Sequence, residues 1–322
     1  MAKHKEKLTV LLAIVISILL PFFIQDFYWL GILNMLLIYS VICFGLNLIV
    51  GIVGLLTFGH AAFYGIGAYT TAMLMKYYQF PFLPSLFLSG LTSLFIAFLI
   101  GISTSRVKGD YFCIITLVFG EIFRLVMQGW IKFSGGAMGI VGIQAPQILS
   151  WKIVSEKDFY YLGLILFWFS FITLTVLIRS KFGRAFNAIR EDELAASMMG
   201  INTVMYKILG FSIGCFYAGL AGSYYAVFNT AITPASFTID ETCLMVIMVI
   251  LGGLGNLSAT VPGVFTMLLV TEVFRPLYRF RLLFIGLIMV IVLVRYPGGI
   301  GGIISSLFRL CRPWVRLFKG RS

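Results

Sequence analysis

The sequence predicts an all-α, polytopic membrane protein with about ten transmembrane or re-entrant helices. Of its 322 residues, 60% are hydrophobic and only 11% are charged, whereas a soluble domain is nearer half apolar and a quarter charged. The mean hydropathy is +1.02. Apolar runs of roughly 20 residues, the length that crosses about 30 Å of hydrocarbon, recur along the chain. We therefore expect one helical membrane domain rather than soluble domains.

Ten apolar runs are candidate spans, and the eighth and ninth could instead form one long bent helix or a re-entrant hairpin. They are residues 8–24, 29–50, 57–75, 85–104, 111–131, 159–178, 207–229, 242–256, 258–274 and 282–296. The first is kept as an uncleaved span because no small-residue cleavage site follows it. We expect residues 1–302 to form the membrane domain. Residues 303–322 would form a basic cytoplasmic tail, either an amphipathic helix on the membrane surface or a disordered segment.

The distribution of Lys and Arg predicts that both termini are cytoplasmic, because basic residues are enriched in cytoplasmic loops. The cluster Arg275–Arg281 opposes this orientation. The net charge of +12 does not indicate nucleic-acid binding, since the basic residues lie between and after apolar runs rather than in one patch. The five cysteines are scattered and show neither disulfide nor metal spacing.

The longest polar interval, residues 179–207, lies between two candidate spans and is predicted to be a cytoplasmic coupling loop. Read as a helix, it mixes small side chains with charges, and Gly200 supplies the glycine that commonly ends a helix. Small side chains let another surface approach closely, and charges fix its orientation. We predict a docking helix for a soluble partner, with a solvated loop as the alternative. The residues expected to carry the contact are Arg184, Arg190, Glu191, Asp192, Glu193, Ala195, Ala196 and Gly200.

Two apolar stretches, 51–68 and 252–263, contain too much glycine for simple helices. Broken helices in transporters often mark the substrate site near the membrane midplane, and their freed N–H and C=O groups suit a zwitterion. Close helix packing through small residues is the alternative. The candidate path residues are Asn47, Gly54, Thr57, Gly59, His60, Gly252, Gly253, Gly255 and Asn256.

Three further features leave alternatives open. The main external loop, within residues 132–158, opens with a glycine-rich segment that either approaches a partner closely or is an ordinary turn cluster. Glu121 and Arg124 lie three residues apart on one helix face. They are interpreted either as a structural ion pair or as part of a substrate site. His60 is expected to be a hydrogen-bonded packing residue rather than a proton relay. The loop residues singled out are Ser134, Gly135, Gly136 and Gly139.

Several motifs are absent from the sequence. It contains no G-x-x-x-x-G-K-[ST] phosphate loop, no HExxH, no CxxC and no G-x-S-x-G. It also lacks the chain of membrane carboxylates expected for ion or proton coupling. We therefore expect no cofactor and no enzyme site, and a transport subunit that takes energy from a partner. An ion-coupled secondary transporter and a non-transport membrane protein are the alternatives.

Six segments, in this order, carry a family resemblance. They are GLNLIVGIVGLLTFGHAAFYGIGAY (45–69), TLVFGEIFRLV (116–126), SGGAMGI (134–140), GRAFNAIREDELAASMMGI (183–201), KILGFSIGCFYAGLAGSYYA (207–226) and LGGLGNLSATVPG (251–263). With them the chain resembles the permease subunits of branched-chain amino acid ABC importers, the LivM-like family.

This resemblance implies an ABC importer permease fold in a bacterial cell (inner) membrane. It implies a heterodimer with a second homologous permease, two cytoplasmic ATPases and an external solute-binding protein. Glu193–Gly200 would couple to an ATPase, Ser134–Ile140 would lie near the binding protein, and the broken segments would line the path. Leucine, isoleucine and valine are the default ligands, although related permeases import urea, short amides or other amino acids.

The chain departs from the family pattern at two places. Ser134 stands where the family usually has threonine, which is a mild change. Ala259 and Thr260 stand where it usually has Gly-Pro, with Pro262 nearby instead. The second departure puts the local backbone of that turn, and any ligand role for it, in doubt.

Overall fold

The computed structural model describes residues 14–22, 26–104, 109–148 and 151–274, together with the isolated positions 286, 287, 290 and 299. The predicted span 282–296, the tail 303–322 and the cluster Arg275–Arg281 therefore lie wholly or largely outside the described residues.

Helices make up most of the described chain. They are α1 (14–22), α2 (Phe27–Leu46), α3 (His60–Tyr77), α4 (Phe82–Thr104), α5 (Gly109–Gly129), α6 (Ile131–Ser134), α7 (Glu156–Arg179), α8 (Lys181–Glu191), α9 (Glu193–Met198), α10 (Thr203–Asn229), α11 (Ile239–Gly252) and α12 (Leu257–Val273). A π-helix, Asn47–Val53, continues α2, and short 3-10 turns occupy Gly136–Met138 and Pro234–Ser236.

The all-helical membrane fold is confirmed, but the count of about ten spans is not. Within the described residues, six helical stretches are long and apolar enough to cross a membrane: Phe27–Val53, Phe82–Thr104, Tyr111–Gly129, Glu156–Arg179, Thr203–Asn229 and Pro234–Gly252. The apolar helix α12 is shorter, with 17 residues. The predicted span 57–75 instead begins as a helix at His60, because residues 54–59 are not helical.

The core forms around α10, which packs against α2, α3 and α4. Glycines make this packing close: a Cβ at Gly45 would overlap the backbone of Gly214, and one at Gly67 would overlap the backbone of Gly219. Small residues at helix crossings are how membrane helices approach each other. For Gly67 in the first glycine-rich stretch, the packing interpretation is therefore the correct one.

The outward faces of α4 and α7 are apolar. Leu91, Phe95 and Leu99 recur every four residues on α4 and are exposed, as are Ile165 and Val176 on α7. Leucine, isoleucine, phenylalanine and valine favour the hydrocarbon core of a bilayer. These faces are suited to contact with lipid.

Helices α11 and α12 form a hairpin, not one bent helix. The chain turns at residues 253–256, where Gly253 has φ +121° and Gly255 has φ +80°. Past the turn, Gly263 packs directly on the backbone of Gly252. L-residues with side chains rarely adopt positive φ, so the two glycines allow this turn.

The molecule has two distinct ends. At the loop end, β1 (Ile140–Val141) pairs antiparallel with β4 (Ala231–Ile232), which follows α10. A second small hairpin pairs β2 (Gln147–Ile148) with β3 (Trp151–Lys152). Helices α8 and α9 connect the opposite ends of α7 and α10, and this is called the coupling end below.

Candidate functional site

The polar interval between α7 and α10 folds as two helices, not as the single helix that was predicted. Asp192 breaks it: its backbone is extended, with φ −155°, and its carboxylate accepts hydrogen bonds from the N–H groups of Leu194 (2.8 Å) and Ala195 (3.0 Å). Aspartate at such an N-cap satisfies N–H groups that the first helical turn leaves unpaired. Ser180 caps α8 in the same way through the N–H of Phe182.

Gly200 ends α9, as predicted. It has φ +82°, and its N–H donates to the carbonyl of Ser197 at 3.0 Å. The N–H of Ile201 then reaches back to the carbonyl of Ala196 at 3.2 Å. A left-handed glycine that closes the last carbonyls is a common helix end.

Helix α8 is amphipathic and lies on the membrane domain. Its inner face buries Ala185, Phe186 and Ile189, which recur at helical spacing. Phe186 is fully buried and packs edge-on against the ring of Tyr206 in α10. Arg184 lies on the exposed face. The inner face thus packs α8 against α10 and the π-helix.

Helix α9 projects apolar side chains outward. Leu194, Met198 and Met199 are 69%, 79% and 84% exposed. Glu191, Asp192 and Ala195 are also exposed, whereas Ala196 is buried against the rest of the molecule. Residues 179–207 are called the coupling segment. Its outward surface consists of these three large apolar side chains edged by acidic residues, and of the three the sequence analysis had considered only Met199.

Two side-chain links tie the coupling segment to the membrane domain. The guanidinium of Arg190 donates to the carbonyl of Gly51 in the π-helix. The ammonium of Lys207, near the start of α10, pairs with the carboxylate of Glu193 at 2.5 Å. Each helix of the segment thus has its own polar contact to a membrane helix.

The two glycine breaks meet around Asn47. Its Oδ1 accepts from the N–H of Gly255 at 2.8 Å, and its Nδ2 donates to the carbonyls of Gly253 (3.4 Å) and Asn256 (3.3 Å). Nδ2 also donates to the hydroxyl of Thr260 at 2.7 Å. Asn47 is fully buried. Buried polar groups need such partners, so this one amide holds both breaks together.

Arg190 lies on the same junction. A Cβ at Gly54, where φ is +82°, would lie 3.1 Å from Arg190 Cγ, and a Cβ at Gly255 would lie 3.2 Å from Arg190 Nη1. Glycine at these positions leaves space for the arginine side chain. The coupling segment therefore touches both breaks directly, which sequence spacing gave no means of predicting.

The departure from the family pattern at Ala259-Thr260 has a structural role. Thr260 is fully buried, and its hydroxyl bonds both Asn47 and the carbonyl of Asn256 (3.2 Å). Asn256 caps α12, with its side chain accepting from the N–H groups of Ser258 and Ala259. The hydroxyl of Thr260 thus adds a polar contact to the junction.

The remaining path candidates lie elsewhere. Gly59 packs against the backbone of Thr116 in α5, and Gly252 packs within the α11–α12 hairpin. Thr57 and His60 are fully buried. His60 is enclosed in the core beside the backbone of Ile42, as expected for a packing residue.

The glycine-rich loop segment is a tight, ordered turn. The hydroxyl of Ser134 is buried and donates to the carbonyl of Trp130 at 2.9 Å. Gly135, Gly136 and Gly139 all have positive φ, and Gly139 lies hard against the backbone of Ile232. Met138, between them, is strongly exposed. The glycines thus serve the turn itself, while the methionine at its tip faces outward.

Glu121 and Arg124 form the predicted pair on one face of α5. Arg124 Nε donates to both carboxylate oxygens of Glu121, at 3.0 and 3.1 Å. The side chain of Arg124 is 26% exposed and that of Glu121 is 34% exposed.

Glycine-packed apolar helices of membrane-spanning length, with a polar helix pair at one end, define an integral helical membrane protein. The family described as "Branched-chain amino acid transport system / permease component" matches residues 28–293, and the chain belongs to this family.

Individual relatives agree with the family match. The chain is 32% identical to the high-affinity branched-chain amino acid transport system permease protein LivM of Salmonella typhimurium, over 99% of this chain and 78% of the relative. It is 31% identical to LivM of Escherichia coli, over 98% of this chain and 78% of that relative. It is 25% identical to the permease LivH of Salmonella typhimurium, over 70% of this chain and 78% of that relative. No solved structure matches the chain.

Proposed function

We propose that this chain is one of two permease subunits of an ATP-driven importer for branched-chain amino acids. A second homologous permease, two cytoplasmic ATPases and an external solute-binding protein complete the assembly in a bacterial cell membrane. The similarity to both LivM and LivH supports a pair of related permeases, since one chain resembles both. In this assembly the chain moves its substrate by alternating access and carries out no bond chemistry.

The observation that carries the proposal is the surface of the coupling segment. Leu194, Met198 and Met199 are exposed together on a short helix outside the span-length helices. A cluster of large apolar side chains facing water marks a protein contact. The adjacent acidic residues would orient a partner. We assign this surface to an ATPase groove.

The two polar links give the docked ATPase a route to the membrane helices. A displacement of α8 and α9 acts on the π-helix through Arg190 and on α10 through Glu193 and Lys207. Rigid-body shifts of packed helices are an established way in which such movements pass through a protein. The junction around Asn47 then couples both glycine breaks to the same displacement.

The orientation follows from this assignment. The coupling end faces the cytoplasm, so the loop end with Ser134–Gly139 faces outside and toward the solute-binding protein. The exposed Met138 and the fixed positive-φ glycines give that end a rigid, projecting contact point. The buried breaks, with Asn47 between them, would lie next to the path at its cytoplasmic side.

The test replaces apolar residues of α9 by a charged one. Leu194→Asp together with Met198→Asp should abolish co-purification of the ATPase and ATP-driven uptake. The fold should persist, because both side chains are exposed and contribute little burial. The matched control is Met138→Asp, an equally exposed methionine at the loop end, which should leave ATPase co-purification intact. Full ATPase co-purification with the α9 variant would overturn the assignment.

A further inference from the structure

Helix α5 differs from the other described spans in the position of its charges. In the other described spans, the Asp, Glu, Lys and Arg side chains lie in the first or last two turns of their α-helices. In α5, a helix of 21 residues, Glu121 lies roughly 12 Å from the nearer end at 1.5 Å per residue. The carboxylate of Glu121 therefore lies within the depth of the hydrocarbon core, and its partner Arg124 lies one turn, roughly 5 Å, nearer the loop end.

The polar face is not enclosed by the rest of the described chain. Arg124 bonds Glu121, and its Nη1 reaches the side-chain oxygen of Gln128 at 3.4 Å. Within the described ranges, all hydrogen bonds of these three side chains stay on α5. The two charged groups retain about a quarter to a third of their exposure.

The face is also distinct from the two other faces of the helix. One face buries Phe112, Thr116 and Phe123 against the neighbouring helices. Another exposes Val118, Ile122 and Leu125, which suit lipid. An ionised side chain at the bilayer centre costs about 2.5–3.5 kcal/mol on insertion scales, which pairing reduces only in part. An ion pair that keeps a quarter to a third of its exposure at this depth is accommodated better by water or a polar partner than by lipid.

We propose that the face formed by Glu121, Arg124 and Gln128 lines the water-filled translocation path and binds the zwitterionic head of the transported amino acid. The guanidinium would take the substrate carboxylate, since its fork of donors suits bidentate contact. The carboxylate of Glu121 would take the ammonium group. In the empty path the two side chains neutralise each other, as observed. This inference rests on the proposed function.

The position of Gln128 extends the face toward the loop end. Gln128 lies one turn beyond Arg124, and the next residues lead into α6 and the Ser134 turn. The Ser134 hydroxyl also donates to the carbonyl of Met127, so turn and helix are joined. A substrate released at the loop end would meet Gln128 first and the charged pair next.

The first test measures water access in the assembled, transporting complex after the native cysteines are replaced by serine or alanine. Gln128→Cys should react with a membrane-impermeant, charged methanethiosulfonate reagent, and saturating leucine should slow the reaction at least tenfold. Ile122→Cys, on the lipid-facing side of the same helix, is the matched control and should not react. The proposal would be overturned if the Gln128→Cys complex transports leucine but does not react with the reagent. It would also be overturned if saturating leucine leaves the labelling rate unchanged.

The second test separates a binding role from a structural pair. Glu121→Gln with Arg124→Gln removes both charges, so the helix should insert and assemble as well as the wild type. If the pair binds the zwitterion, KM for leucine should rise at least tenfold while the ATPases still associate. An unchanged KM in the assembled complex shows a purely structural pair and rejects the inference. If the wild-type complex itself showed no ATP-driven uptake, that result would instead reject the proposed function.

Discussion

The side chain of Asn47 and the backbone N–H of Gly255 are hydrogen-bonded at 2.8 Å, although 208 positions separate them in sequence. This contact joins the glycine break after α2 to the break between α11 and α12. Arg190 of the coupling segment touches the same place through the carbonyl of Gly51. The position of α8 and the geometry of both breaks are thus physically linked.

Replacing Asn47 by alanine should destabilise the protein and uncouple transport. The change leaves the Gly255 N–H without its partner and removes the donor to Thr260. Each buried polar group left unpaired costs about 1–3 kcal/mol. We expect a lower melting temperature of the purified permease and more ATP hydrolysed per leucine taken up in vesicles.

The matched control is Asn34→Ala. Asn34 is equally buried, accepts from the hydroxyl of Tyr224 at 2.9 Å and donates to Glu156 near the loop end. This variant should lose comparable stability but keep the normal ratio of hydrolysis to uptake. Equal uncoupling in both variants would show that stability alone, not the junction, sets the coupling.

Gly51→Ala should damage the junction by overlap. The added methyl group would collide with Asn47 Oδ1 and with the backbone N of Gly255. Overpacking of this kind costs about 1–3 kcal/mol or more where backbone must shift. Gly31→Ala in α2 is the control, because no atom lies within 4 Å of its added Cβ. The melting temperature and the rate of uptake should fall for Gly51→Ala only. Normal uptake by Gly51→Ala would contradict the close contact.

Local features of the chain were predictable, and long-range ones were not. The Gly200 helix end and the Glu121–Arg124 pair follow from rules that act over three or four residues. The Asp192 break was missed, although aspartate before a short helix is a recognisable cap signal. The meeting of Asn47, Gly255 and Arg190 depends on how distant helices pack. No periodicity in the sequence encodes that packing.

The glycine-rich segments show the same division. Their irregular backbone was predicted, and residues 54–59 and 253–256 are indeed non-helical. The sequence could not separate their purposes: Gly67 serves close helix packing, whereas Gly54 and Gly255 have positive φ and lie beside Arg190. All three positions are glycines in glycine-rich apolar stretches, and only the helices and side chains packed around them differ.

Gly200→Val should impair coupling through backbone strain alone. A Cβ at this position meets nothing within 4 Å, so no clash arises, but φ is +82°. A left-handed conformation costs an L-residue roughly 1–2 kcal/mol, and more for a β-branched one. Asparagine tolerates this conformation, so Gly200→Asn is the control. ATP-driven uptake of leucine should drop in the Gly200→Val variant and stay near the wild-type level in the Gly200→Asn variant. Equal uptake by the two variants would exclude a role for the α9 end.

The most direct measurement is leucine uptake by the purified complex in sealed vesicles, with ATP present or absent on the side of α8 and α9. We expect uptake that requires ATP, persists when ionophores collapse all ion gradients, and disappears with Leu194→Asp and Met198→Asp. Uptake that proceeds without ATP and stops with the ionophores would contradict it and identify an ion-coupled transporter.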